Sequence, residues 1–188
     1  MLKPRADHPC VNLQMTGLNP ETDHILQISC FITDADLNLL DHDGFHVTVH
    51  QPPHILSSMD PWCISTHGRS GLTAAVHAST TTPSEAANSL LSYVQSYVPR
   101  SRKALLAGNS VHADRVFLAR EPYTKVVEWL HYRILDVSSV KEAVRRWSSD
   151  EVLRDAPGKV GVHLAKDDIL ESIEEMRFYS DRVFQRTS

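Results

Sequence analysis

The chain has 188 residues, 41% of them hydrophobic and 22% charged, with a formal net charge of −4. That length and apolar content suit one soluble domain with a sizeable core, and no apolar run approaches the ~18 residues needed to cross a bilayer. An acidic total argues against a long groove that tracks a phosphate backbone, yet leaves room for a small site holding a few phosphates through cations and one or two arginines.

From Met1 through Lys3 and Arg5 to Pro9 there is no apolar signal core, so secretion is not expected. The cysteines Cys10, Cys30 and Cys63 are odd in number and lack C-x-x-C spacing. A reducing, intracellular compartment is therefore expected, without a disulfide framework or zinc site.

Three early segments have strand character, at about 9–15, 24–33 and 37–49, separated by turn residues such as Gly17-Leu18-Asn19-Pro20. Thr82-Pro83-Ser84-Glu85 then opens a helix: a Thr N-cap, Pro at the first position and Glu three residues after the cap form a capping box. Ala87, Leu90, Leu91, Val94 and Val98 follow at helical spacing and face a core. Residues 104–109 read as a buried strand and 111–120 as a short helix. A strand near Arg133–Val137 follows, capped by Ser138 or Ser139 into a helix through Trp147. A last helix begins near Asp167 and places Ile169, Ile173 and Met176 on one stripe. Three strands followed by alternating helices and strands predict a mixed sheet flanked by helices, an α/β layer fold in one domain spanning 1–188.

Within that frame a few polar positions stand out. On a strand, Asn12 and Gln14 share one face, amid the apolar Cys10, Val11, Leu13 and Met15 and just before the Thr16-Gly17 turn. Asp114 follows a buried strand in Gly108-Asn109-Ser110-Val111-His112-Ala113-Asp114, where a helix start can present it in a cleft. Asp168 lies five residues after His163. Taken singly, each has a plain explanation: amides on a solvated strand face, or acids favoured by a helix N-terminus.

Taken together, these segments resemble the oligoribonuclease branch of the DEDDh exonucleases. That family carries D-L-E-M-T-G-L, an H-x-G-type helix, G-N-S-x-x-x-D, H-Y-R-x-x-D-V-S and a final H-x-x-x-x-D. The chain shows N-L-Q-M-T-G-L at 12–18, Trp62-Cys63 with His67-Gly68-Arg69-Ser70-Gly71-Leu72, and Gly108-Asn109-Ser110 through Asp114. It continues with His131-Tyr132-Arg133-Ile134-Leu135-Asp136-Val137-Ser138 and with His163 through Asp168, so the match runs from about 9 to 184. The resemblance implies a ribonuclease H-like sheet and a homodimer that degrades RNA of two to five residues from the 3′ end, in the cytoplasm or mitochondria. It further implies two Mg²⁺ or Mn²⁺ ions held at positions 12, 14, 114 and 168, with His163 as general base. Leu18 would wedge against the bases, and Trp62, His67 and the partner subunit's Tyr132 would enclose them. Ser110, with Arg133, Ser138 and Ser139 from the partner, would cap the 5′ phosphate, while Asp136 would play a supporting or structural part.

The chain departs from the family at Asn12 and Gln14, where the family has Asp and Glu. An amide offers a cation one neutral oxygen and turns a donor toward it, so half the site's negative charge is gone while its shape is kept. The expectation is a chain that binds short RNA and cleaves it slowly or not at all. Deliberate inactivation to trap substrate accounts for two near-isosteric swaps beside an otherwise complete set. A natural pseudoenzyme that sequesters short oligonucleotides is the alternative. Leu164 and Lys166, near the final motif, also differ from the commonest family residues.

Overall fold

In the computed structural model, residues 8–158 and 165–184 are described. His8–Met15 forms β1, the central strand, because its alternating residues can bury both faces. Val11 and Leu13 enter one apolar layer while Cys10 enters the layer on the opposite side. Asn12 and Gln14, in the same row as Cys10, therefore point to that second side.

Ile25–Thr33 forms β2, antiparallel to β1 and buried along nearly its whole length. A strand covered on both faces reads as a nearly continuous apolar run, which Ile25-Leu26-Gln27-Ile28-Ser29-Cys30-Phe31-Ile32 is. The third strand, β3, is Phe45–Thr48, antiparallel to β2. It is much shorter than the 37–49 run expected. Asp34 Oδ1 accepts from the backbone N–H groups of Asp36 and Asn38, and Leu37 is left-handed with φ 64°. Asp41 likewise accepts from Asp43 N. Short acidic side chains that bond neighbouring N–H groups compete with a strand ladder, and only a Thr33–Leu39 bridge survives there.

Three short helices follow: α1 (Pro53–Ser57), α2 (Pro61–Arg69) and α3 (Leu72–Ala78). The helix expected at Thr82 is α4 (Pro83–Tyr97), with both arms of its capping box formed. Its Ala87, Leu90 and Val94, with Val98 just past its end, join the Val11–Leu13 layer. Next come β4 (Leu106–Gly108), α5 (Val111–Leu118), α6 (Thr124–Trp129) and β5 (Ile134–Asp136). The chain continues through α7 (Val137–Trp147) and α8 (Asp150–Asp155) to α9 (Ala165–Arg182).

Among the described residues the sheet order is β3-β2-β1-β4-β5, with β4 parallel to both β1 and β5. The result is the mixed, helix-flanked α/β sheet expected. α4, α5 and α6 cover the Val11–Leu13 side. α9 covers the other, where Ile169 and Ile173 share a layer with Cys10, Phe31 and Ala107. α7 leans on α9 through Val137, Val144 and Tyr179. Among the described residues no helix is long and apolar enough to cross a membrane.

Gly108, at the end of β4, has no room for a side chain against β1. Its φ is +153°, and a Cβ there would stand 2.7 Å from the backbone oxygen of Val11. That oxygen belongs to the central strand and has nowhere to go. Gly108→Ala is expected to cost about 3 kcal/mol, from a backbone clash plus an unfavourable φ, read as a lower urea midpoint.

Candidate active site

The carboxyl ends of β1, β4 and β5 lie side by side, and hydrogen bonds there link Asn12 with Gln14, Leu13 with Asp114, and Ser110 with Asp136 and Ser138. Asn12 and Gln14 are half-buried on the α9 side of β1. Gln14 Nε2 donates to Asn12 Oδ1 at 3.1 Å, which ties the two amides together. Between them Leu13 N donates to Asp114 Oδ1 at 2.8 Å, which fixes α5 to the strand. Asp168 sits in the first turn of α9, one residue before Ile169, which lies in the same layer as Cys10. Its carbonyl accepts from Ser172 Oγ at 2.7 Å. His163 lies outside the described residues.

Burial pushes the Asp114 carboxyl up to about 7, against the opposing pull of the Leu13 N–H. The nearby Asp136 adds to the rise and His112 opposes it. Unfolded, this acid loses its proton near 4; folded, it keeps it to about 7. Across that window the folded state binds the extra proton, so stability falls as pH rises, by roughly 1.4 kcal/mol per pH unit at most. Denaturation in EDTA at about pH 5 and about pH 7 checks this, and Asp114→Asn is expected to flatten the slope.

Asp136 is the hub of the neighbouring turn. It is 8% exposed. Its Oδ1 accepts from Ser110 N at 3.1 Å and from Ser138 N at 3.0 Å, and its Oδ2 accepts from His112 Nδ1 at 2.9 Å. Asp136 is thus the N-cap of α7, a position the sequence assigned to Ser138 or Ser139. The correction has a simple cause. An Asp side chain reaches the N–H two residues ahead, whereas Ser138 already lies inside the helix and turns its hydroxyl elsewhere. Ser138 Oγ donates to Asn109 Oδ1 at 2.7 Å and lies 3.0 Å from Ser110 Oγ. The structure therefore brings Ser110 and Ser138 together within one chain. Ser110 itself is left-handed, with φ 52°, a strained conformation held by Asp136 and Ser138.

Sequence reading missed the support beneath this turn. Glu175 of α9 is 2% exposed and accepts from Lys141 Nζ at 2.8 Å, Tyr179 Oη at 2.9 Å and Asn109 Nδ2 at 3.2 Å. Burial favours its neutral form, but these three donors outweigh that and hold the carboxyl below its usual range. Asn109 is thereby locked with its oxygen toward Ser138. No local pattern marks a helix glutamate 66 residues from its partner.

The expected base-contacting residues are placed as follows. Leu18 is 78% exposed and Trp62 is 64% exposed. The Leu18 turn is tied by Asp23, which accepts from Thr16 Oγ1 at 2.8 Å and from Asn19 N at 2.9 Å. Trp62 stands in the first turn of α2, whose N-cap Asp60 accepts from its N–H. His67 of the same helix is buried and donates from Nε2 to the Met15 carbonyl at 2.9 Å, pinning α2 to the end of β1. In this structure His67 acts on the backbone, not on open space. Tyr132 is 63% exposed, stacks on His131 at 4.5 Å and carries the Arg133 guanidinium over its ring at 5.2 Å. Ser139 is exposed on α7.

Two divalent cations at positions 12, 14, 114 and 168 are what the resemblance implies. Two of the four family positions are amides bonded to each other, and one oxygen of Asp114 is committed to Leu13 N. Among the described residues no group of three or more His, Cys, Asp or Glu is arranged to hold a metal ion. These residues do not fit a two-cation site.

The exonuclease family model of the RNase T type matches residues 13–176. Mitochondrial oligoribonucleases of Bos taurus and Homo sapiens are 47% and 46% identical over 176 residues, which cover 94% of this chain and 73% of theirs. An oligoribonuclease of Neisseria meningitidis is 44% identical over 171 residues, covering 91% of this chain and 89% of its own. Among solved structures, E. coli exonuclease I in complex with a dA16 oligonucleotide superposes with a TM-score of 0.73 at 13% identity, covering 96% of this chain. The chain spans 42% of that exonuclease, and the likeness is one of fold. The chain belongs to the oligoribonuclease family of exoribonucleases.

Proposed function

We propose that this chain engages RNA of two to five residues at the open end of β1, in the manner of a 3′→5′ exoribonuclease, and that its own turnover is suppressed by the Asn12–Gln14 pair. The observation that carries the reading is the Gln14–Asn12 hydrogen bond, at the two positions where the family has acids. Neutral amides, one of whose oxygens is already taken by an N–H, give a cation little reason to enter. Leu18, Trp62 and Tyr132 offer exposed apolar surface for bases, with Tyr132 supplied by a second subunit in a homodimer. Ser110, with Arg133, Ser138 and Ser139 of the partner subunit, borders the 5′ phosphate, and His67 sets the Met15–Leu18 corner. His163, in the family's general-base position, and Asp168 complete the set. With acids at 12 and 14, Mg²⁺ or Mn²⁺ would supply the activation of water, as the resemblance implies.

The completeness of this remaining set favours a recently silenced enzyme, engineered to trap substrate, over a long-diverged sequestering protein. A reducing intracellular setting, cytoplasmic or mitochondrial, fits the buried free cysteines. Competition binding tests the substrate class. A labelled 5′-phosphorylated RNA dinucleotide is expected to be displaced by unlabelled dinucleotide far better than by a long single strand. Efficient displacement by long single-stranded DNA would assign the site to a different exonuclease class.

A further inference from the structure

At positions 12 and 14 the chain presents amides, which donate as well as accept, where a metal-dependent site presents carboxylates that only accept. Gln14 Nε2 spends one hydrogen on Asn12 Oδ1. Its second hydrogen and both hydrogens of Asn12 Nδ2 are not used in that bond. Because Asn12 turns its oxygen toward Gln14, its NH₂ is turned away from the pair. Leu13 N, the backbone donor between them, is already taken by Asp114. The donors that this stretch of strand can offer a ligand are thus the two side-chain amides, both half-buried, where water competes only in part.

A pair of carboxylates repels a phosphodiester and needs cations in between. A pair of amides carries no charge, and N–H groups that meet an ionised acceptor make the stronger class of hydrogen bond. We propose that Asn12 and Gln14 hold the internucleotide phosphate of a short oligonucleotide directly, through their side-chain N–H groups, so that binding to this chain does not depend on divalent cations. This rests on the reading that short oligonucleotides occupy the site, and it names the groups that take their phosphate.

The test is calorimetric titration with an RNA dinucleoside monophosphate, whose single phosphate is the internucleotide one. The parent chain is expected to bind it with the same affinity in EDTA and in Mn²⁺. The volume-conserving variant Asn12→Leu, Gln14→Met removes the donors and is expected to bind roughly ten- to a hundredfold more weakly in EDTA, at an unchanged melting temperature. Should that variant fail to fold, Asn12→Asp, Gln14→Glu serves instead and is expected to lose affinity in EDTA by a similar factor. Binding by the parent only when Mn²⁺ is present would overturn direct amide recognition and leave the short-RNA site standing. So would a donor-free or acid variant that binds in EDTA as tightly as the parent. Absence of binding by the parent under both conditions would overturn the two together.

Discussion

The double substitution Asn12→Asp, Gln14→Glu is expected to raise cleavage of an RNA dinucleotide in Mn²⁺ at least a thousandfold. The reason is electrostatic. Each swap replaces a neutral oxygen by an anionic one at nearly the same place, breaks the Gln14–Asn12 hydrogen bond and returns two charges to a site that keeps Asp114 and Asp168. Cation-assisted stabilisation of a transition state is worth several kcal/mol, and about 4 kcal/mol is a factor of a thousand in rate. A second readout is independent of turnover. Clustered carboxylates repel one another without a cation, so the acid variant should melt lower than the parent in EDTA and rise on adding Mn²⁺, while the parent moves little. A parent whose melting temperature climbs as far as the variant's would show that its amides do not exclude the metal.

Asp136→Ala is expected to cost roughly 2–3 kcal/mol of stability, or a fall of about 5–10 °C in melting temperature. Loss of the α7 N-cap accounts for about 1 kcal/mol. Weakening the bonds that hold Ser110 in its left-handed conformation accounts for most of the rest, softened because Ser110 N also donates to Ser138 Oγ at 2.9 Å. The functional consequence should exceed the structural one. Once the Ser110–Ser138 pair is no longer held, affinity for a 5′-phosphorylated dinucleotide should fall at least tenfold, a loss equivalent to about one charge-assisted hydrogen bond. Asp136→Asn keeps an acceptor for Ser138 N and should recover most of the stability. An Asp136→Ala chain that melts like the parent would mean that Asn109 and Glu175 alone hold the turn.

How far the sequence reached depended on whether the information was local. The Thr82–Glu85 cap is written within four residues, and the structure forms it as read. The alternation through Cys10-Val11-Asn12-Leu13-Gln14 placed both amides on one face, because a strand leaves its side chains no other choice. The stretch from 53 to 78 was harder. Its three helices are short, at five, nine and seven residues, and two of them start at prolines, so no period of 3.6 emerges. α6 and α8, at six residues each, escaped for the same reason. The long third strand was an over-reading, since Asp34 and Asp41 fold their own flanks into turns. The helix cap went to Ser138 because serine is a good cap in general, and only the geometry shows Asp136 already filling that place. Glu175, the buried carboxylate that orients Asn109, lay beyond any local pattern. So did the inward turn of His67 onto Met15, which depends on how two distant segments pack.

The most direct measurement mixes the parent chain with a 5′-labelled RNA dinucleotide in Mn²⁺ and reads binding and cleavage in the same sample. Saturable binding of an intact dinucleotide, over the time in which the Asn12→Asp, Gln14→Glu chain consumes it, is the expected result. Cleavage by the parent at the rate of that variant would contradict the assignment of the amide pair as the element that silences the site.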